Sequence, residues 1–258
     1  MNMMKQPLVG RTAVVTGASR RVGIGYAIAH RLLGMGAQVF IQHLNTYDES
    51  QPWGGDTVAE LVADLRQVGP RVEHAEADFA DPEAPEQVIT AATRAFGHVD
   101  ILVANHAYSR MGDLEHLTAD DIDKHLQINV RGTLLLVRHF AAQHDGRVGG
   151  RVIMLTSGQH LGPMPSELAY VASKGAIHQL TQSLSAHLIR RGITVNTVNP
   201  GATDTGYADE VTRQIVAAAS PQGRWGEPDD AARLIAWLAT DDARWITGQV
   251  VNSTGGGY

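Results

Sequence analysis

The chain has 258 residues, 43% of them hydrophobic and 19% charged, with a formal net charge of -6; that length suits one large α/β domain with a buried core, and the acidic balance argues against a general nucleic-acid binder. There is no cysteine, which excludes disulfides and thiolate zinc sites, and no apolar run approaches the ~20 residues that cross a bilayer. The twelve histidines are scattered and form no H-E-x-x-H pair, so no metal site is expected.

The opening segment, MNMMKQPLVG, lacks the apolar stretch of a signal peptide, and a cytoplasmic protein is expected. Short apolar runs then alternate with longer helical patterns. The spacing predicts a strand over 11–16, a helix over 24–35, a strand over 37–43, a long polar loop over 45–55 and a helix over 55–68. A strand over 71–76, a helix over 82–97, a strand over 99–104 and a helix over 118–144 follow. Next come a strand over 151–156, a helix over 167–191, a strand over 193–198, helices over 208–219 and 228–240, and a strand over 248–252. Strands this apolar, separated by helices, imply a parallel sheet covered on both faces. With right-handed crossovers the expectation is a single-domain, doubly wound Rossmann-type fold of about seven strands, spanning 1–258.

Between the first strand and the first helix lies TGASRRVGIG. Gly17, Gly23 and Gly25 would let the backbone approach a pyrophosphate, and the helix start would offer free N–H groups. Strand two ends Gln42-His43-Leu44-Asn45, with no carboxylate before Asp48. An acid at that strand end normally accepts from the 2′-hydroxyl of NAD. Its absence, with Arg20 and Arg21 in the turn, favours the 2′-phosphate of NADP(H) over NAD(H). Solvated loop charges are the alternative for both arginines.

The chain's 21 basic residues include only three lysines: Lys5, Lys124 and Lys174. Lys174 stands four residues after Tyr170, so both face one side of a helix, and Ser157 ends the strand before it. A tyrosine of pKa about 10 exchanges protons poorly near neutrality. A neighbouring ammonium favours the phenolate, and a serine hydroxyl can stabilise charge on a carbonyl oxygen.

On these residues the chain resembles the short-chain dehydrogenase/reductase family along essentially its whole length. TGASRRVGIG looks like the family's TGxxxGxG turn with two residues inserted. Asp78 resembles the acidic residue beside adenine, Asn105-His106-Ala107 stands where the family has Asn-Ala-Gly, and ITGQVVNSTGG resembles its usual tail. Asn129, Ser157, Tyr170 and Lys174 match its catalytic tetrad, and Asn199-Pro200-Gly201 with Thr205 its nicotinamide-side loop. The resemblance implies proton exchange by Tyr170, a Lys174 that acidifies the phenol and binds ribose, a Ser157 that orients the carbonyl, and an Asn129 that bends its helix and holds a relay water. It also implies cofactor contacts from Gly17, Ser19, Arg20, Arg21, Gly23, Ile24, Gly25, Asp78, Phe79, Asn105, Tyr170, Lys174, Pro200, Gly201, Thr203 and Thr205. Tyr108, Gln159, His160, Met164 and Tyr207 are expected near the substrate. His106 is expected to be a tolerated side chain in a local turn, with a contact to cofactor or cleft as the alternative.

Within the family the chain looks most like 3-oxoacyl-acyl-carrier-protein reductases. The expected activity is NADP(H)-dependent reduction of a carbonyl to a secondary alcohol, on a small-molecule or carrier-protein-linked substrate. Arg147, Arg190 and Arg191 are candidates for a carrier's docking surface. An NAD-dependent alcohol or polyol dehydrogenase and a non-catalytic dinucleotide sensor are the alternatives. The resemblance further implies a homotetramer, with Leu134, Leu135, Leu136, Leu180 and Leu184 serving either an interface or the core.

Overall fold

Seven strands of β-branched and aliphatic residues form one parallel sheet in the order β3-β2-β1-β4-β5-β6-β7. The computed structural model describes residues 6–69 and 71–257; Lys5 lies outside them. The strands are β1 (Thr12–Val15), β2 (Gln38–His43), β3 (Val72–Glu76), β4 (Ile101–Ala104), β5 (Gly150–Leu155), β6 (Ile193–Asn199) and β7 (Val250–Asn252). Every paired neighbour is parallel, so all strands end at one edge. The order reverses between β1 and β4, and that switch point opens a crevice at this edge.

Period-two alternation divides the core. Ala13 and Val15 of β1 face one layer, under α1 (Ile24–Gly34), α3 (Val58–Val68) and α9 (Pro228–Leu238). Val14 faces the other, under α4 (Ala84–Phe96), α6 (Thr133–Gln143) and α7 (Leu168–Leu188). Arg31 of α1 grips Asp229 of α9 with both donors of its fork, Nε at 2.8 Å, and joins two elements 198 residues apart.

Two expectations are corrected. The loop over 45–55 contains a short helix, α2 (Asn45–Glu49), too brief to carry a periodic signal. The single helix over 118–144 is α5 (Ala119–His125), a wider π-helical segment over Leu126–Gly132, and then α6. The last helix before β6 tightens into a 3-10 turn at Ile189–Arg191. A further helix, α8 (Glu210–Ala219), lies outside the core and buries none of its residues.

Candidate active site

The first turn is built where glycine alone fits. Gly17 has φ +69°, and a Cβ there would sit 2.8 Å from the His106 Cα; at Gly25 it would meet the Gly17 carbonyl at 2.4 Å. Polar bonds hold the turn. Gly17 N–H donates to Gln42 Oε1 at 2.9 Å, and Asn105 Nδ2 donates to the Thr16 and Gly17 carbonyls at 2.9 and 3.0 Å. Gly23 caps α1 without a side-chain bond, and no acidic residue stands in the first turn. Free N–H groups and the positive helix end therefore face the crevice. A bare backbone cradle of this kind fits a pyrophosphate, which bonds through its oxygens to such groups.

The two arginines of the turn separate. Arg21 is ion-paired with Asp64 at 2.7 Å and Asp56 at 3.3 Å, so it pins the turn to α3 and is not free to receive a phosphate. Arg20 has its guanidinium 5.7 Å from the centre of the Trp53 ring and lines the cavity. Ser19 donates to Asp48, a carboxyl whose pKa burial raises. Asp78 is exposed, with one oxygen accepting from Ala80 N–H at 2.8 Å. Phe79 points into the core against His106, ring centres 4.3 Å apart, so its side chain does not face the crevice.

His106 is not a tolerated side chain in a turn. It is buried and joins three elements: Nδ1 lies 2.8 Å from Thr16 Oγ1 and Nε2 lies 3.1 Å from the Ile128 carbonyl. A carbonyl only accepts, so the ring proton is on Nε2 and Nδ1 accepts from the threonine hydroxyl. Burial first, then the charge of Lys174, lowers its pKa to about 3. The ring is a neutral strut between the glycine turn and the π-helical segment.

Asn129 lies in that segment. Its Oδ1 accepts from Tyr108 N–H at 2.7 Å, and its Nδ2 donates to the Tyr108 carbonyl and to Ser173 Oγ, both at 2.9 Å. Ser157 follows β5, and Tyr170 and Lys174 occupy the first turns of α7. Lys174 is 4% exposed, donates to the Leu155 carbonyl at 3.0 Å and stands 5.7 Å from the Tyr170 ring centre. Burial draws its pKa down to about 8. Burial pushes the Tyr170 phenol up to about 12, opposed by a hydrogen bond with Ser157. The Lys174 ammonium is turned to the Leu155 carbonyl, and burial is the largest influence on the phenol.

Ser157 and Tyr170 share one cavity of about 860 Å³ with Arg20 and Ile24 of the turn and with Pro200, Gly201, Thr203 and Thr205 beyond β6. Of the expected substrate residues, Met164 and Tyr207 line it. Three do not. Tyr108 packs its ring on His125, 4.8 Å between centres. Gln159 turns back to Thr156 and Ser157 N–H. His160 faces Asn252 at 3.1 Å. Sequence reasoning missed Tyr47, Asp48, Trp53, Glu167 and Val216 in the wall. The unusual length of the 45–55 loop was the one signal for the first three.

A parallel sheet with a glycine cradle at its switch point, and a serine, tyrosine and lysine beside it, defines a dinucleotide-dependent oxidoreductase. A family model described as enoyl-(acyl carrier protein) reductase matches residues 17–257. The oxidoreductase YjdA of Bacillus subtilis is 40% identical over 250 residues, covering 95% of this chain and 96% of that protein. Versicolorin reductase stcU of Emericella nidulans is 32% identical over 267 residues, covering 97% of each. A short chain dehydrogenase from Burkholderia cenocepacia, solved in complex with NADP, superposes with a TM-score of 0.86 at 36% identity, over 97% of this chain and 98% of that one. The chain belongs to the short-chain dehydrogenase/reductase family, whose members act on CH–OH and C=O groups.

Proposed function

We propose that the protein is an NADP(H)-dependent reductase that converts a ketone to a secondary alcohol. One observation carries this reading: Ser157 and Tyr170 line the same cavity as Arg20 and Ile24 of the glycine turn, with Lys174 buried behind the phenol. A bound nicotinamide dinucleotide supplies the hydride. Ser157 donates to the carbonyl oxygen and orients it. Tyr170, protonated throughout the neutral range, gives its proton to that oxygen. The Lys174 ammonium stabilises the phenolate left behind. Asn129 bonds Ser173 and the Tyr108 backbone, and so keeps α7 in register with the wall before it.

The 2′-phosphate is assigned to Arg20 alone, since Arg21 is held by α3. Strand two ends without a carboxylate in the 42–45 stretch, and the Burkholderia cenocepacia relative was solved with NADP. Both support NADP(H) over NAD(H). A free ketone suits the site better than a carrier-bound 3-oxoacyl thioester. Arg190 and Arg191 follow α7, whose 21 residues place them about 30 Å from Tyr170 at 1.5 Å per residue, and Arg147 is paired with Asp145. The relative named versicolorin reductase is consistent with a free ketone. A cytoplasmic location and a homotetramer complete the proposal.

The test is a panel of free ketones and 3-oxoacyl thioesters with NADPH and with NADH, followed at the reduced nicotinamide band. Reduction of ketones with NADPH is the expected result. Oxidation of alcohols with NAD as the only turnover rejects the reading.

A further inference from the structure

Glu167 precedes α7 and stands three residues before Tyr170. It lines the cavity together with Tyr170 and Tyr207. Its backbone is clamped from both sides: Gly112 N–H donates to the Ser166 carbonyl at 2.7 Å, and Leu168 N–H donates to the Gly112 carbonyl at 3.2 Å. The side chain therefore departs from a fixed base. It does not serve as a helix cap, for no side-chain bond caps α7. Among the described residues no hydrogen bond or ion pair reaches the carboxylate, and burial alone raises its pKa.

The cations of the same wall are engaged elsewhere. Arg110 is paired with Asp121 at 2.8 Å and Arg224 with Asp230 at 2.8 Å, while Arg20 lies over Trp53. Burial first, and then the negative charge of Glu167, raises the pKa of both Tyr170 and Tyr207, whose side chains line the same cavity. A partly desolvated acceptor with no donor costs free energy until a donor arrives.

We propose that Glu167 is a specificity residue that accepts a hydrogen bond from a hydroxyl group on the ketone substrate, so that hydroxy-ketones are preferred over plain ketones and over ketones bearing a carboxylate. The inference rests on the reductase reading for the group held at Tyr170. Glu167 and Tyr170 stand three residues apart and line one cavity, so a carbonyl held at Tyr170 and a hydroxyl held at Glu167 can sit on one compact ring. An anionic substituent in the same place meets like charge in a poorly solvated site and is rejected.

Three ligands that differ at one carbon test this: 1-tetralone, 4-hydroxy-1-tetralone and 4-oxotetralin-1-carboxylate. Their binding to the full chain with NADP+ is measured by isothermal calorimetry in wild type, Glu167→Gln and Glu167→Ala. In wild type the hydroxy ligand binds about tenfold tighter than the parent, the size of one hydrogen bond to a charged group, and the carboxylate binds weakest. Glu167→Ala removes the hydroxyl advantage, Glu167→Gln keeps part of it, and both variants bind the carboxylate about tenfold better than wild type does. An unchanged order of preference in the three proteins overturns the proposal, as does the lack of a hydroxyl advantage in wild type, failure of all three to bind included. Turnover with NADPH is scored separately. No reduction of any ketone, with the hydroxyl advantage intact in binding, rejects the reductase reading and not the role of Glu167.

Discussion

Tyr170 and Lys174 have opposite relations to pH. The phenol, at about 12, keeps its proton across the working range, whereas the amine, at about 8, loses its charge within it. Reduction by proton donation needs both protonated. The rate with NADPH should be flat below pH 8 and fall about tenfold per unit above it, and Lys174→Met should lose that limb along with most of its activity. Tyr170→Phe should lower kcat by about 10²–10⁴-fold with little change in NADPH affinity measured by fluorescence titration. Arg20→Ala should raise the KM for NADPH about tenfold or more, the loss of one charge-assisted bond, and leave NADH nearly untouched. Arg21→Ala should affect both cofactors alike and lower the melting temperature, since its partners are Asp56 and Asp64. The Tyr170–Lys174 pair could be read because its spacing is short and local, whereas Asn129 came only with the family resemblance. Glu167 could not be read, because a carboxylate three places before a tyrosine carries no pattern until Gly112 is seen beside it.

At the scale of elements, the π-helical segment matters most. Widening the helix at Leu126–Gly132 frees carbonyls from the usual ladder, and His106 occupies one of them. His106→Ala should cost about 2–4 kcal/mol, from the void and from two buried polar groups left unmatched. His106→Gln, able to donate to one side and accept on the other, should recover part of this; chemical denaturation measures both. The strands and most helices could be read from apolar runs and turn residues. The widened segment showed only through the resemblance, which implied a helix bent at Asn129; the apolar pattern alone did not mark it. Nor could α2 be read, where five residues are shorter than any amphipathic repeat, nor the turning of Gln159 and His160 away from the cavity, which depends on the rotamer that brings Gln159 back to Thr156 and, for His160, on Asn252 of β7, 92 residues on.

For the whole molecule, the sheet and its two layers follow from composition: strands buried on both faces have no polar side to show. Stability against acid is less obvious. His106 titrates at about 3 when folded and near 6.5 when unfolded. Between those values the unfolded chain binds a proton that the folded one does not. The stability due to a neutral His106 is therefore complete above pH 6.5 and is lost as pH falls toward 3, by up to about 1.4 kcal/mol per unit. Burial also depresses His43, His98 and His144, which act in the same sense. Melting temperatures between pH 7.5 and 4 should fall steeply, and less steeply in His106→Gln. The row formed by Arg20, Trp53 and Tyr207, with the indole and phenol rings 6.4 Å apart, lines the cavity. An indole set there is a natural optical antenna: emission from Trp53 overlaps the absorption of reduced nicotinamide, so resonance transfer should report occupancy without any label.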